Sequence, residues 1–257
     1  MNLSFFRNKR GLEIAGPSKI FQDLGPVPIY SVVADLDDFS FPRPHEWGGR
    51  NLRKGKTYFY NPGNKAGRQF IGDAVNLTGI PSGCYDFLMA SHVIEHIANP
   101  IKAVSEWIRV LKPRGVMLLI VPHRDGTFDR KRPLTELKHL CNDYENGVPE
   151  NDRTHFAEVQ KLSTKQFPKE WFDSCGIHRG LHHHVFDTRL IIEVLNHLRL
   201  QIMEVDHKLP HNIVIVARKR LRPSKAMNNP FRNTKAAFTI SSPFISDTSS
   251  HLSWPNE

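Results

Sequence analysis

The stretch from Tyr85 to Pro122 constrains the fold of this chain more than any other. Phe87 to Ala90 and Val116 to Val121 are apolar at both alternating positions, the pattern of parallel strands covered on both faces. Between them Asn99 stands where it can cap a helix, Pro100 fits the first helical position, and Ile101, Val104, Ile108 and Leu111 fall on one face. Lys112-Pro113-Arg114-Gly115 then stops the helix. The pattern predicts one βαβ unit around which the remaining segments must pack.

The same residues carry a family resemblance. Asp86-Phe-Leu-Met-Ala-Ser-His-Val-Ile-Glu-His96, Trp107 to Gly115 and Leu118 to Pro122 resemble the second half of a class I S-adenosylmethionine-dependent methyltransferase domain. The resemblance is specific over Asp86 to Pro122, weaker before it, and fades after it. It implies an α/β, Rossmann-like methyltransferase fold whose mainly parallel seven-stranded sheet ends in an antiparallel final strand. It also implies S-adenosyl-L-methionine as cofactor and sets Ser91 and His92, the polar residues after the fourth strand, beside the methyl donor.

Upstream, Arg10 to Ser18 reads as a short strand entering a tight turn, with Leu12 and Ile14 facing a core. Glu13 sits near the carboxyl end, where ligands of open α/β sheets bind. Gly16 lets the backbone approach a ligand, although Ala15, Pro17 and Lys19 stand where the family's common form has glycines. Ile29 to Ala34 predicts a second buried strand ending in Asp35, which at that spacing can accept both hydroxyls of a ribose, with Asp37 as the alternate. That geometry serves NAD equally; the missing G-x-G-x-x-G and the later match favour S-adenosylmethionine. Phe41 to Gly67 reads as a loop or short insertion, and Arg68 to Ile71 as the third strand. In the resembled family the acidic turn that follows, here at Asp73, meets the adenine amino group.

His92-Val-Ile-Glu-His96 also matches the inverted zinc-protease signature, but a strand end at Ser91 and a helix start at Asn99 leave too little helix for that chemistry. The charged run from His123 to Thr135 opens an excursion over about 123–180, read as a lid carrying an acceptor-substrate wall. His182-His183-His184 is the oddest local cluster. In an extended segment only His182 and His184 share a face. A catalytic or substrate-binding role is preferred there over a zinc or iron site, and no metal is assigned. An unperturbed imidazole suits a proton acceptor near neutrality; His123 and His184 rank ahead of His92. Asp187 or Thr188 caps a helix with a stripe of Leu190, Ile191, Val194, Leu195 and Leu198, and two antiparallel strands meet around Pro210.

Composition places these elements in one main domain, residues 1–219, with a basic tail, 220–257, expected to be mostly disordered apart from a docking segment at Phe238 to Phe244. Three widely spaced cysteines with no C-x-x-C pair indicate neither a disulfide framework nor a thiolate zinc site, and a soluble, cytoplasmic protein is expected. The net charge of +9 is concentrated from Arg218 onward, where seven Lys/Arg face two Asp/Glu. No known RNA module interleaves aromatic and basic residues here. The expected reaction is methyl transfer to a hydroxyl or amine of a polar small molecule or glycan, a cell-envelope sugar or its nucleotide-linked precursor first and RNA second. A non-enzymatic binding protein on the same fold is the alternative.

Overall fold

The computed structural model describes residues 1–41, 52–61, 63, 66–221, 227–233 and 236–248. Among the described residues, eight strands form one sheet: β1 (Arg10–Ile14), β2 (Asp35–Ser40), β3 (Gly55–Tyr58), β4 (Gly67–Ile71), β5 (Tyr85–Ser91), β6 (Leu111–Pro122), β7 (Gln201–Lys208) and β8 (Asn212–Arg218). Their spatial order is β3-β4-β2-β1-β5-β6-β8-β7. The central run from β4 to β6 is parallel, whereas β8 lies antiparallel between β6 and β7. The sheet has one strand more than expected. β3 pairs antiparallel with β4 at the edge, inside the segment read as a loop.

The central βαβ unit forms as its spacing predicts, except that the helix ends at Val110, and Leu111, expected on its buried face, opens β6. Helix α1 (Pro100–Val110) is capped by Asn99, whose side chain accepts from the Lys102 amide at 3.1 Å. Its buried face carries Ile101, Val104 and Trp107, and the Trp107 indole donates to the Ala74 carbonyl at 2.9 Å. Helices α2 (Leu137–Glu145) and α5 (Thr188–His197) cover the same side. Strand alternation splits the core: Leu88 and Ala90 pack under the helices, while Phe87 and Met89 face the opposite side. There the cover is aromatic and, among the described residues, contains no α-helix; Phe6, Phe21, Tyr30, Tyr58 and Tyr60 pack on the sheet.

That aromatic cover explains the misplaced second strand. Val27, Ile29 and Tyr30 are buried in a turn-rich connection rather than in a strand. Pro28 removes a ladder donor at the start of the run. The strand is instead the acidic segment Asp35–Ser40, whose buried acids are satisfied: Arg10 donates to Asp37 at 2.7 Å, and the Gly16 amide donates to Asp38 at 2.7 Å.

Beyond α2, which lies where Thr135 to Tyr144 predicts a helix, the excursion after β6 is more helical than the weak periodicity of Glu145 to Cys175 predicts. It contains α2, α3 (Phe156–Leu162) and α4 (Lys169–His178), with a small core of Val159, Trp171, Phe172 and Leu181. The tail includes the segment Phe238 to Phe244, expected to dock. Its described parts include α6 (Ala237–Ser241) and α7 (Ile245–Thr248), and Phe238 and Phe244 are buried against the domain. Residues 42–51, 62, 64–65, 222–226, 234–235 and 249–257 of the expected loop and tail lie outside the described residues. No helix among the described residues is long and apolar enough to cross a membrane.

Candidate active site

The chain runs outward from β1 through β2 to β4, then returns to the other side of β1 with β5 and β6. Ligands of open α/β sheets bind outside the carboxyl ends of the strands at such a reversal. A cleft of about 290 Å³ opens there. Ile14, Ala15 and Gly16 follow from β1, Ser40 and Phe41 from β2, Asp73 and Ala74 from β4, and Ser91, His92 and Val93 from β5.

The turn after β1 is tightly packed. A Cβ added to Gly16 would lie 2.3 Å from the Tyr58 hydroxyl and 2.4 Å from the Glu13 carboxyl, so the position requires glycine. Glu13 itself is fully buried beneath this turn. It accepts from Ser18 Oγ at 2.7 Å, from Tyr30 Oη at 2.8 Å and from the Tyr58 hydroxyl. Burial, and then the charge of Asp38, push its pKa up to about 7 against the pull of these donors.

The cleft's far wall comes from the excursion. Arg179 bridges Asp73 and Glu150 with one guanidinium nitrogen to each, and its Cζ lies 4.7 Å from the centre of the Phe41 ring. Burial raises the Glu150 pKa, and Arg179 opposes that rise. Glu150 also accepts from the Ala98 and Asn99 amides, each at 3.3 Å, so the excursion is tied to the entrance of α1.

Residues 57–119 match a family model described as a methyltransferase domain, a span running from β3 through the central βαβ unit. That span of the chain is similar to a methyltransferase domain. The chain is similar to a Methanosarcina mazei S-adenosylmethionine-dependent methyltransferase, 17% identical, with 84% of this chain and 94% of that one covered at a TM-score of 0.48. A putative methyltransferase from Bacillus halodurans is 12% identical, with 83% and 93% covered and a TM-score of 0.45. The Burkholderia thailandensis 1,6-didemethyltoxoflavin-N1-methyltransferase, solved with that compound and S-adenosylhomocysteine, is 13% identical, with 83% and 72% covered at 0.46. A search of curated proteins returns no match.

Four of the residues singled out from sequence line the cleft: Gly16, Asp73, Ser91 and His92. Others stand elsewhere. Glu13 is sealed below the β1 turn. Asp35 begins β2 rather than ending it and pairs in register with Arg10, which sets it and Asp37 at the amino edge, opposite the cleft. Ser40 occupies the strand end that Asp35 was expected to hold.

The three candidate bases also separate. His123 is 0% exposed, stacked on Phe244 with ring centres 3.9 Å apart. Its Nδ1 accepts from the Asp125 amide at 3.1 Å, so Nε2–H faces Asp247 at 3.2 Å and neither nitrogen is left for a substrate. His184 is buried too, its Nε2 3.2 Å from the Ala98 carbonyl, and burial holds its pKa well below the usual imidazole value. Only His92 lines the cleft. Its Nε2 lies 2.7 Å from Asn212 Oδ1, an acceptor, which leaves the lone pair on Nδ1.

His182 and His184 do not converge as their shared parity predicts. His182 turns to Asp129 and His96, whereas His184 joins His139 and His155. Arg132 donates to the His182 and His183 carbonyls at 2.9 and 3.3 Å. Arg179 and Glu150 were missed from sequence, since a lone arginine and a lone glutamate in a weakly periodic excursion carry no distinguishing pattern.

Proposed function

We propose that this chain transfers a methyl group from S-adenosylmethionine, held in the cleft, to a hydroxyl or amine of a polar small molecule or glycan. The observation that carries this reading is the coincidence of the cleft with the reversal between β1 and β5, lined by the residues that follow those two strands. The lining fits an adenosine. Ile14, Phe39 and Ile97 offer apolar walls, and Asp73 is an acceptor suited to an amino group.

When bound, the cofactor supplies an electrophilic methyl on a sulfonium. The chain's own task is to align donor and acceptor and to receive a proton. Ser91 and His92, at the end of β5, border the central part of the cleft. His92 Nδ1 is the atom assigned to take the proton of an acceptor hydroxyl. Asp73 must exchange Arg179 for the ligand's amino group, so the excursion shifts when the cleft fills.

The Arg179 bridge also supports a second reading, a binding protein in which the cleft no longer turns over a donor. Supplying labelled S-adenosylmethionine with polar metabolite and glycan extracts separates the two. Methyl incorporation should occur and should fall by about 10²- to 10⁴-fold in His92→Ala. Donor binding without incorporation into any such fraction would favour the binding protein, and label confined to RNA would replace the acceptor class.

A further inference from the structure

Behind the cleft residue His96 lies a cluster that methyl transfer does not use. Glu95 is 1% exposed, yet neither of its carboxylate oxygens has a hydrogen-bond partner. A buried carboxylate is strongly unfavourable unless it is paired or ligates a cation. Two histidines face it. His96 sets Nδ1 3.0 Å from the Leu181 carbonyl and Nε2 3.8 Å from Glu95 Oε1. His182 sets Nδ1 2.6 Å from Asp129 Oδ2, and Asp129 is itself held by Arg132 at 2.8 Å.

These outer contacts matter because a metal-bound histidine donates its second ring nitrogen to a carbonyl or carboxylate, which fixes the tautomer and aims the other nitrogen at the ion. Here both histidines donate from Nδ1 in that way. One carboxylate oxygen of Glu95 and one ring nitrogen each of His96 and His182 lie within 4.8 Å of one another. Tetrahedral ligands at roughly 2.0–2.2 Å from zinc stand roughly 3.3–3.6 Å apart, a small adjustment from the 3.8 Å between Glu95 and His96. His92 approaches the same carboxylate from the cleft side, with Nδ1 3.6 Å from Oε1.

We propose that Glu95, His96 and His182 form a binding site for a divalent transition-metal ion of the zinc type, bordering the cleft through His96. Two imidazoles and one carboxylate suit such an ion and leave coordination positions open. An oxygen of a polar molecule entering the cleft can complete the shell. A second cluster, His139, His155 and His184, also brings its nitrogens within 4.8 Å, but none of its members lines the cleft.

The test uses the full chain, stripped with chelator and titrated with zinc(II) alone by calorimetry, with bound metal counted by mass spectrometry. Glu95→Gln preserves shape and removes the ligand charge. It also removes an unpaired buried charge, so the metal-free variant should melt no lower than metal-free wild type. The wild type should bind about one zinc per chain, and affinity should fall at least about tenfold in Glu95→Gln and His182→Ala but not in His155→Ala. Addition of zinc should raise the melting temperature of wild type and not of Glu95→Gln. Absence of saturable zinc binding by wild type would overturn the proposal. So would retention of the ion in folded Glu95→Gln together with its loss in His155→Ala.

Discussion

Replacing Glu13 with Gln should abolish a pH dependence of stability centred on the turn after β1. Glu13 is fully buried, and its pKa is raised from 4.5 to about 7, chiefly by burial and then by Asp38. The folded state therefore favours the protonated acid. Its contribution is fully present below the unfolded value of 4.5 and is lost as pH rises through about 7. At about 1.4 kcal/mol per pKa unit, the difference amounts to about 3 kcal/mol. The pH-invariant Gln side chain has no such loss. Urea unfolding of both proteins from about pH 5 to about pH 8 isolates Glu13 and the groups coupled to it, because titrating groups not coupled to Glu13 cancel in the comparison. The gap between them should move by about 2 to 3 kcal/mol in favour of Glu13→Gln as pH rises. Parallel stability curves over that range would refute the reasoning and indicate that Tyr30, Tyr58 and Ser18 fully compensate the buried charge.

Acid should act in the opposite sense through His183, whose pKa is lowered to about 4 by burial and then by His155. A depressed histidine stabilises the fold above its unfolded value of 6.5 and loses that contribution as pH falls through about 4, so His183→Asn should flatten the acid limb by about 3 kcal/mol in the same unfolding assay. Phe244→Ala removes the ring stacked on His123 and should cost about 3 kcal/mol. It should also speed chymotryptic cleavage at Phe238 while leaving the sheet intact by circular dichroism; an unchanged cleavage rate would show that Phe244 is not what holds the tail.

The central βαβ unit was legible because apolar spacing, the Asn99 cap and the Lys112–Gly115 break all act locally. Gly16, Asp73, Ser91 and His92 were legible for a related reason: each ends a strand or lies within two residues of a strand end and so reaches the ligand edge. β2 was not legible, because an acidic strand is buried only when distant partners such as Arg10 and Tyr85 neutralise it, and Tyr85 Oη reaches Asp37 at 2.7 Å across 48 positions of sequence. The apolar run before β2 lines the aromatic face instead. His123 could not be judged from its own neighbourhood, since Phe244 and Asp247 bury it from the far end of the chain. Arg179 reaches Asp73 across 106 positions and leaves no local trace.

Calorimetric titration with S-adenosylmethionine tests the central claim most directly. Wild type should bind one equivalent saturably, and Asp73→Ala, which removes the acceptor assigned to the adenine amino group, should weaken binding by about 1.5 to 3 kcal/mol without unfolding the protein. Absence of saturable heat at about millimolar donor, or undiminished affinity in Asp73→Ala, would contradict the assignment of this cleft as the donor site.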